Sequence, residues 1–257
     1  MFRLEKKVAV VTGGGSGIGR AIAQVFAQQG AFVFVLDINQ SDAQETIHSI
    51  KEQKGQSRFI HCDVSDQGSV AIALQEIEHS SKTIDLLINN AGIAHIGNVE
   101  NTNAVDFEKL LAVNVSGVYH MIQATLPMMK AQGGSIINLA SVAASVGLND
   151  RFAYSTTKGA IKTMTLSVAK DLLPYNIRCN SISPGRVHTP FVDGFLKKNY
   201  PGKEAEMFEK LAKTQPIGRM ATPYEIACLA LYLCSDEASF LTGTDYAIDG
   251  GFITLNT

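Results

Sequence analysis

Seven short runs rich in β-branched and other apolar residues alternate along the chain with longer stretches in which apolar residues return every three or four positions. The short runs predict strands at 8–12, 31–36, 58–62, 86–89, 135–140, 177–183 and 245–249. The longer ones predict helices at about 18–29, 42–52, 67–79, 103–132, 153–173 and 224–234, several with Ser, Thr or Pro near the start. Strict alternation of this kind predicts an α/β fold: a doubly wound, seven-stranded parallel sheet with helices on both faces, because neighbouring parallel strands need a right-handed helical crossover between them. In such sheets ligands bind beyond the carboxyl ends of the strands. Gly13, Asp37, Asp63, Asn90, Ser141 and Pro184 all fall at or just after those predicted ends.

One stretch breaks the alternation. Residues 185–214 are too many for a simple strand-to-helix connection, and they predict a substrate lid. Phe191, Phe195, Tyr200 and Phe208 give it apolar area, and Arg186, His188, Lys197 and Lys198 give it positive charge, a mixture suited to a small polar or anionic substrate. A pair of surface helices with inward aromatics and solvated lysines fits the same residues.

The first strand runs into Thr12-Gly13-Gly14-Gly15-Ser16-Gly17-Ile18-Gly19 before an amphipathic helix starts. Glycines in a strand-to-helix turn let backbone approach a diphosphate, and the free N–H groups and dipole of the helix start favour its charge. The strict G-x-G-x-x-G spacing is absent, so a plain tight turn also fits. The second strand ends at Asp37, close to the offset of about 20 residues at which a carboxylate accepts hydrogen bonds from an adenosine ribose. A carboxylate there repels a 2′-phosphate, and Ser16 and Ile38 stand where a basic residue would have been needed, so NAD is expected over NADP. The alternative for Asp37 is an ordinary turn residue at a strand end.

Tyr154 and Lys158 lie four residues apart, on one face of a predicted helix. A free phenol ionises near pH ~10, so it exchanges protons at neutral pH only where charge or hydrogen bonds favour its anion; Lys158 is expected to supply that charge. By itself the pair also fits a solvated helix face.

Taken together these residues resemble the short-chain dehydrogenase/reductase family, in its single-domain branch of about 250 residues, over nearly the whole chain. Thr12-Gly13-x-x-x-Gly17-Ile18-Gly19 is similar to the family's cofactor turn, Asp63-Val64 to its adenine contact, Asn89-Asn90-Ala91-Gly92 to the segment that follows the fourth strand, and Pro184-Gly185-x-Val187-x-Thr189 to the segment that binds the nicotinamide carboxamide. Asn114, Ser141, Tyr154 and Lys158 match the catalytic tetrad in order and spacing. The resemblance implies a Rossmann-like fold in one domain spanning 1–257. It implies cofactor contacts from Thr12, Gly13, Gly15, Ser16, Gly17, Ile18, Gly19, Asp37, Ile38, Asp63, Val64, Asn90, Ala91, Gly92, Tyr154, Lys158, Pro184, Gly185, Val187 and Thr189. By the same resemblance Tyr154 is the acid/base, Lys158 lowers its pKa and holds the nicotinamide ribose, Ser141 bonds the substrate oxygen, and Asn114 positions a water leading from Lys158 to solvent. Asparagine is mildly unfavourable inside a helix, so Val113-Asn114-Val115 also predicts a kink or a specific partner there.

Composition narrows the remaining classes. A net charge of −2 with acids and bases interspersed gives no footprint for nucleic acid or an anionic membrane. The longest apolar helical stretch, 226–234, is far short of the ~20 residues of a membrane span, and the first strand begins too early for a signal peptide; a soluble, cytoplasmic protein is expected. Cys62, Cys179, Cys228 and Cys234 lie apart or in apolar runs and are read as reduced packing residues, and no metal is expected. The resemblance also implies a homodimer or homotetramer paired through helices 103–132 and 153–173, where Met121, Ile122, Leu126, Met128 and Met129 offer more apolar surface than one sheet face needs. A buried helix accounts for them equally well.

The expected reaction is hydride exchange between a nicotinamide and a secondary alcohol or ketone, with a sugar, sugar acid or small hydroxy acid as substrate. Reduction of 3-oxoacyl thioesters is an alternative. A sugar-nucleotide epimerase shares the glycine turn and Tyr-x-x-x-Lys but normally carries a further domain. A catalytically silent sensor or scaffold normally loses the tyrosine or lysine.

Overall fold

In the computed structural model, which describes residues 1–255, seven parallel strands form one sheet: β1 (Val8–Thr12), β2 (Phe32–Asp37), β3 (Gln56–His61), β4 (Leu86–Asn89), β5 (Gly134–Leu139), β6 (Ile177–Pro184) and β7 (Asp245–Ile248). Their order is β3-β2-β1-β4-β5-β6-β7, so the chain reverses its direction of travel across the sheet after β3, and β1 pairs with both β2 and β4. The crevice beyond the carboxyl ends of β1 and β4 is therefore the switch point at which such sheets take ligands.

Period-two alternation assigns each strand residue to a face. Ala9, Val11, Val33, Val35, Ile88 and Ile137 pack on one side against α1 (Gly17–Gln28) and α9 (Pro223–Cys234). Val10, Phe34, Leu36, Leu87 and Ile136 pack on the other against α3 (Gln67–Ser80), α5 (Gly117–Met129) and α6 (Phe152–Leu172). Burial on both faces explains why the central strands read as continuous apolar runs. Helix α2 (Gln40–Glu52) starts at Asn39, whose side chain accepts from the Asp42 N–H; α9 starts at a capping box of Thr222 and Glu225. Among the described residues no helix is long and apolar enough to cross a membrane.

Two expectations need correction. The helix expected at 103–132 is α4 (Ala104–Leu111), a π-helical turn (Ala112–Ser116) and α5, because Asn114 spends its amide on backbone elsewhere. The kink anticipated at Val113-Asn114-Val115 is this turn, a feature that recurs at functional sites. Met121, Ile122, Met128 and Met129 are not surplus surface: all four are buried in the chain's own core. Their side chains supply the packing of α5 on the sheet, so they give no support to an intersubunit face.

Candidate active site

Thr12 and Asn90 build the switch point. The Thr12 hydroxyl donates to Ile88 O (3.3 Å) and accepts from the backbone N–H groups of Asn90 and Ala91 (3.0 Å each), while Asn90 Nδ2 donates to Thr12 O (3.0 Å) and Gly13 O (3.1 Å). This lattice holds the glycine turn against β4. Gly13 has φ +62°, and a Cβ there would lie 2.9 Å from Ala91 Cα; a Cβ on Gly19 would run into the carbonyl oxygen of Gly13. Ser16 caps α1 without a side-chain capping bond, and the first turn carries no acidic residue. A bare backbone cradle at a helix N-terminus fits a diphosphate, and the residues expected to hold one, Gly13, Gly15, Ser16, Gly17, Ile18 and Gly19, are all in it.

Asp37 ends β2 directly beside that turn. Its Oδ2 accepts from Gly15 N (2.8 Å) and its Oδ1 from Asn39 N (2.9 Å), and each oxygen keeps a further lone pair for a ribose hydroxyl. Arg20, the arginine of α1, is turned away: it donates to Gly15 O and Asp42 O and pairs with Glu45 at 3.0 Å. Ile38 is left exposed next to Asp37. Asp63 follows β3, where Oδ1 accepts from Ser65, and Val64 packs beneath it against Gly117.

The second half of the site lies beyond β5. Ser141 starts a short 3₁₀ turn (Val142–Ala144) and accepts from Ala143 N at 3.2 Å. Tyr154 and Lys158 sit on the first turns of α6, as their spacing requires. Lys158 is buried, its Nζ donating to Leu139 O (2.6 Å) and lying 5.8 Å from the Tyr154 ring centroid. Asn114 Oδ1 accepts from Ile93 N (2.8 Å), and its Nδ2 donates to Ile93 O (2.9 Å) and to Thr157 Oγ1 (3.1 Å). Gly92 faces both: a methyl in place of its hydrogen would fall 3.2 Å from Asn114 Oδ1 and 3.7 Å from Lys158 Nζ. All four tetrad positions, with Thr12, Asn90, Ala91 and Gly92, are thus gathered along one edge of the sheet.

Burial dominates the titration of both groups. It pushes the Tyr154 phenol above its ordinary value, and what opposes this is first a hydrogen bond from Ser141 and then the positive charge of Arg151. It also pulls the pKa of Lys158 down to about 8. Arg151 and Thr157 are the functional candidates that sequence reasoning missed. Their only signal was position, three residues before and three after Tyr154.

A consequence for stability follows. A lysine whose pKa is lowered on folding binds its proton less well folded than unfolded, so its burial penalty is complete below pH ~8 and is relieved as pH climbs toward the unfolded value near 10.5. Replacing Lys158 by Met is expected to raise the melting temperature at pH 7, by the equivalent of about 1–3 kcal/mol. That advantage should shrink between pH 8 and 10.5. Melting curves across that range check it; a variant that melts below the parent at pH 7 would refute it.

The third wall comes from the segment that follows β6. Pro184 ends β6, Gly185 is packed against Asp249, and Val187 pairs with Ala221 in an isolated bridge. Thr189 caps α7 (Pro190–Asn199), and its Cγ2 lies 3.4 Å from the position of a Cβ on Gly17, so the root of this segment meets the glycine turn. The segment folds into two short helices, α7 and α8 (Glu204–Ala212). Phe195 and Tyr200 meet edge to face, and His188 packs on Phe208 while bonding Asp193 at 2.9 Å. Lys197 and Lys198 are exposed in the last turn of α7, while Arg186 is half-buried at the start of the segment.

Comparison with known proteins agrees with this geometry. Residues 13–253 match the family model described as Enoyl-(Acyl carrier protein) reductase. The chain is 40% identical to the uncharacterized oxidoreductase YxbG of Bacillus subtilis (strain 168), across 98% of this chain and 93% of that one. It is 37% identical to the trans-4-hydroxycyclohexanecarboxylate dehydrogenase of Sinomonas cyclohexanicum, across 97% and 93%. Among solved structures, the L-sorbose reductase of Gluconobacter frateurii, complexed with NADPH and L-sorbose, superposes with a TM-score of 0.94 at 29% identity, covering 98% of both chains.

Proposed function

The chain belongs to the short-chain dehydrogenase/reductase family, and from that premise we propose that it oxidises the secondary alcohol of a sugar, sugar acid or small hydroxy acid with NAD in preference to NADP. It is an oxidoreductase acting on alcohol or ketone groups with a nicotinamide dinucleotide. The cofactor, when bound, accepts or returns the hydride.

The chain's own residues supply the rest. Tyr154 takes the alcohol proton, or gives it back to a ketone, at its phenolic oxygen. Ser141 donates to the substrate oxygen, where negative charge grows as the bond breaks. Lys158, held by Leu139 O, would bind the ribose of the cofactor, and Asn114 fixes the backbone of Ile93. The relatives handle a hydroxylated ring acid in one case and a sugar in the other, which supports a small polar substrate.

The observation that carries the NAD preference is Asp37: a carboxylate anchored on the turn by Gly15 N, with no cation bonded to it among the described residues. Since a relative was solved with NADPH, the local residues and not the fold must decide. Changing Asp37 to Ser together with Ile38 to Arg is expected to move the ratio of kcat/KM for NAD to that for NADP by about 100-fold toward NADP, roughly 2.8 kcal/mol. Steady-state kinetics with both cofactors and a panel of sugars, aldonates and hydroxy acids tests the whole reading. NADPH-driven reduction of acyl thioesters faster than any NAD-linked oxidation would overturn it.

A further inference from the structure

Seven arginines occur in the chain. Four have a carboxylate partner within 4.0 Å: Arg3 with Glu5, Arg20 with Glu45, Arg58 with Glu76 and Arg219 with Glu225. Arg178 donates to two carbonyl oxygens and feels the charge of Asp236. Arg151 and Arg186 are different. Among the described residues neither guanidinium has an ion-pair partner, and both stand at the substrate end of the site.

Their backbones are firmly placed. Arg151 is the last residue before α6, three ahead of Tyr154, and its strand-like bridge to Gly97 is closed by Gly97 N to Asp150 O (3.0 Å) and Phe152 N to Gly97 O (3.1 Å). Arg186 is two residues beyond Pro184; its N–H donates to Gln215 Oε1 (3.2 Å), its carbonyl accepts from Ala221 N (2.9 Å) and its Nε donates to Thr214 Oγ1 (2.9 Å). Those bonds leave the terminal Nη groups of Arg186 uncommitted. Arg151 commits one, Nη1, to Asp150 O at 3.0 Å. Of the acids nearby, Glu225 grips Arg219, Asp193 bonds His188, and Asp249 accepts from Gly251 N and Ile253 N, while Asp150 meets Arg151 through its backbone carbonyl.

The two guanidiniums also sense each other. Burial first and then the charge of Arg151 hold the Arg186 pKa below its ordinary value, and the same Arg151 charge reaches the Tyr154 phenol. A half-buried like-charge pair is unfavourable in the protein alone and favourable once an anion lies between its members. A planar carboxylate suits the fork geometry of arginine, and Arg151 stands three residues before Tyr154 at the start of the same helix.

We propose that Arg151 and Arg186 form a carboxylate-binding subsite that selects hydroxy acids over neutral alcohols, holding the acid group while the hydroxyl lies on Tyr154 and Ser141. This rests on the reading of the chain as an NAD-linked dehydrogenase and narrows its substrate class to the acids.

The test compares hydroxy acids of three to six carbons with their own amides, and aldonates with the matching alditols, using the full chain and NAD. The parent enzyme is expected to favour acid over amide by at least about 100-fold in kcat/KM. Arg151→Met and Arg186→Met should each raise KM for the acid about tenfold or more and collapse that preference, while Arg151→Lys and Arg186→Lys keep part of it. Melting temperature and NADH affinity serve as the check on folding. Because Arg151 also favours the phenolate, Arg151→Met, but not Arg186→Met, should move the pH profile of kcat upward. Equal use of acid and amide, or an acid KM untouched in either Met variant, overturns the subsite and leaves the dehydrogenase reading standing. If no alcohol is oxidised, the dehydrogenase reading fails. Calorimetry of malonate on the enzyme–NADH complex then decides the subsite: binding lost in both Met variants supports it, and no binding to the parent overturns it.

Discussion

Tyr154→Phe is expected to lower kcat by about 10³-fold or more while the KM for the cofactor and the melting temperature stay close to those of the parent. General acid–base groups contribute about 10²–10⁴-fold. The upper part of that range applies because no other hydroxyl in the cluster is suited to replace the phenol. Ser141 is an alcohol with no base beside it, and Lys158 has its ammonium on Leu139 O. The ring itself is kept, and the backbone carbonyl of Tyr154 still accepts from Thr157 Oγ1 at 2.8 Å, so α6 retains its start. Burial raises the phenol's pKa and Ser141 and Arg151 lower it, so activity of the parent should climb with pH. The variant should lack that climb. Intact turnover in Tyr154→Phe would remove the acid/base assignment altogether.

The second large effect is expected from Gly19→Ala. A Cβ at this position meets the carbonyl oxygen of Gly13, which is backbone and is itself fixed by Asn90 Nδ2 at 3.1 Å. Gly13 is itself held in a left-handed conformation at a place so tight that an added Cβ would lie 2.9 Å from Ala91 Cα, so it cannot easily shift to make room. Overpacking of this kind costs about 1–3 kcal/mol, equivalent to a drop of roughly 2–10 °C in melting temperature for a chain of this size. The cradle distorts at the place where the diphosphate would lie, so affinity for NAD should fall about 100-fold or more in a fluorescence titration with NADH. Gly159→Ala is the contrast, because nothing lies within 4 Å of its added Cβ and alanine is the better helix former; it should stabilise by up to about 1 kcal/mol. If Gly19→Ala binds NADH normally, the turn is not the cofactor cradle.

Much of this was legible in one dimension, for reasons visible in particular elements. Strand and helix periods differ, and the central strands are buried on both faces, so Val8–Thr12 and Phe32–Asp37 announced themselves within a residue of their ends. The break at 112–116 was half legible: an asparagine flanked by valines is an odd choice inside a helix, yet nothing local identifies Ile93, 21 residues back, as its partner. The methionines of α5 show the opposite failure. An apolar side chain reads the same whether it meets its own sheet or another subunit, and only packing showed that Met121 and Met129 are wholly enclosed.

The sequence by itself determined the order of strands and helices, the glycine turn, the acidic end of β2 and the shared face of Tyr154 and Lys158, because each depends on residues near one another along the chain. The tertiary structure alone decided that Lys158 turns to Leu139 and that the charge of Arg151 reaches both the Tyr154 phenol and Arg186, 35 positions on. Electrostatic energy depends on distance through space and on burial, and neither is encoded in the spacing of residues along the chain.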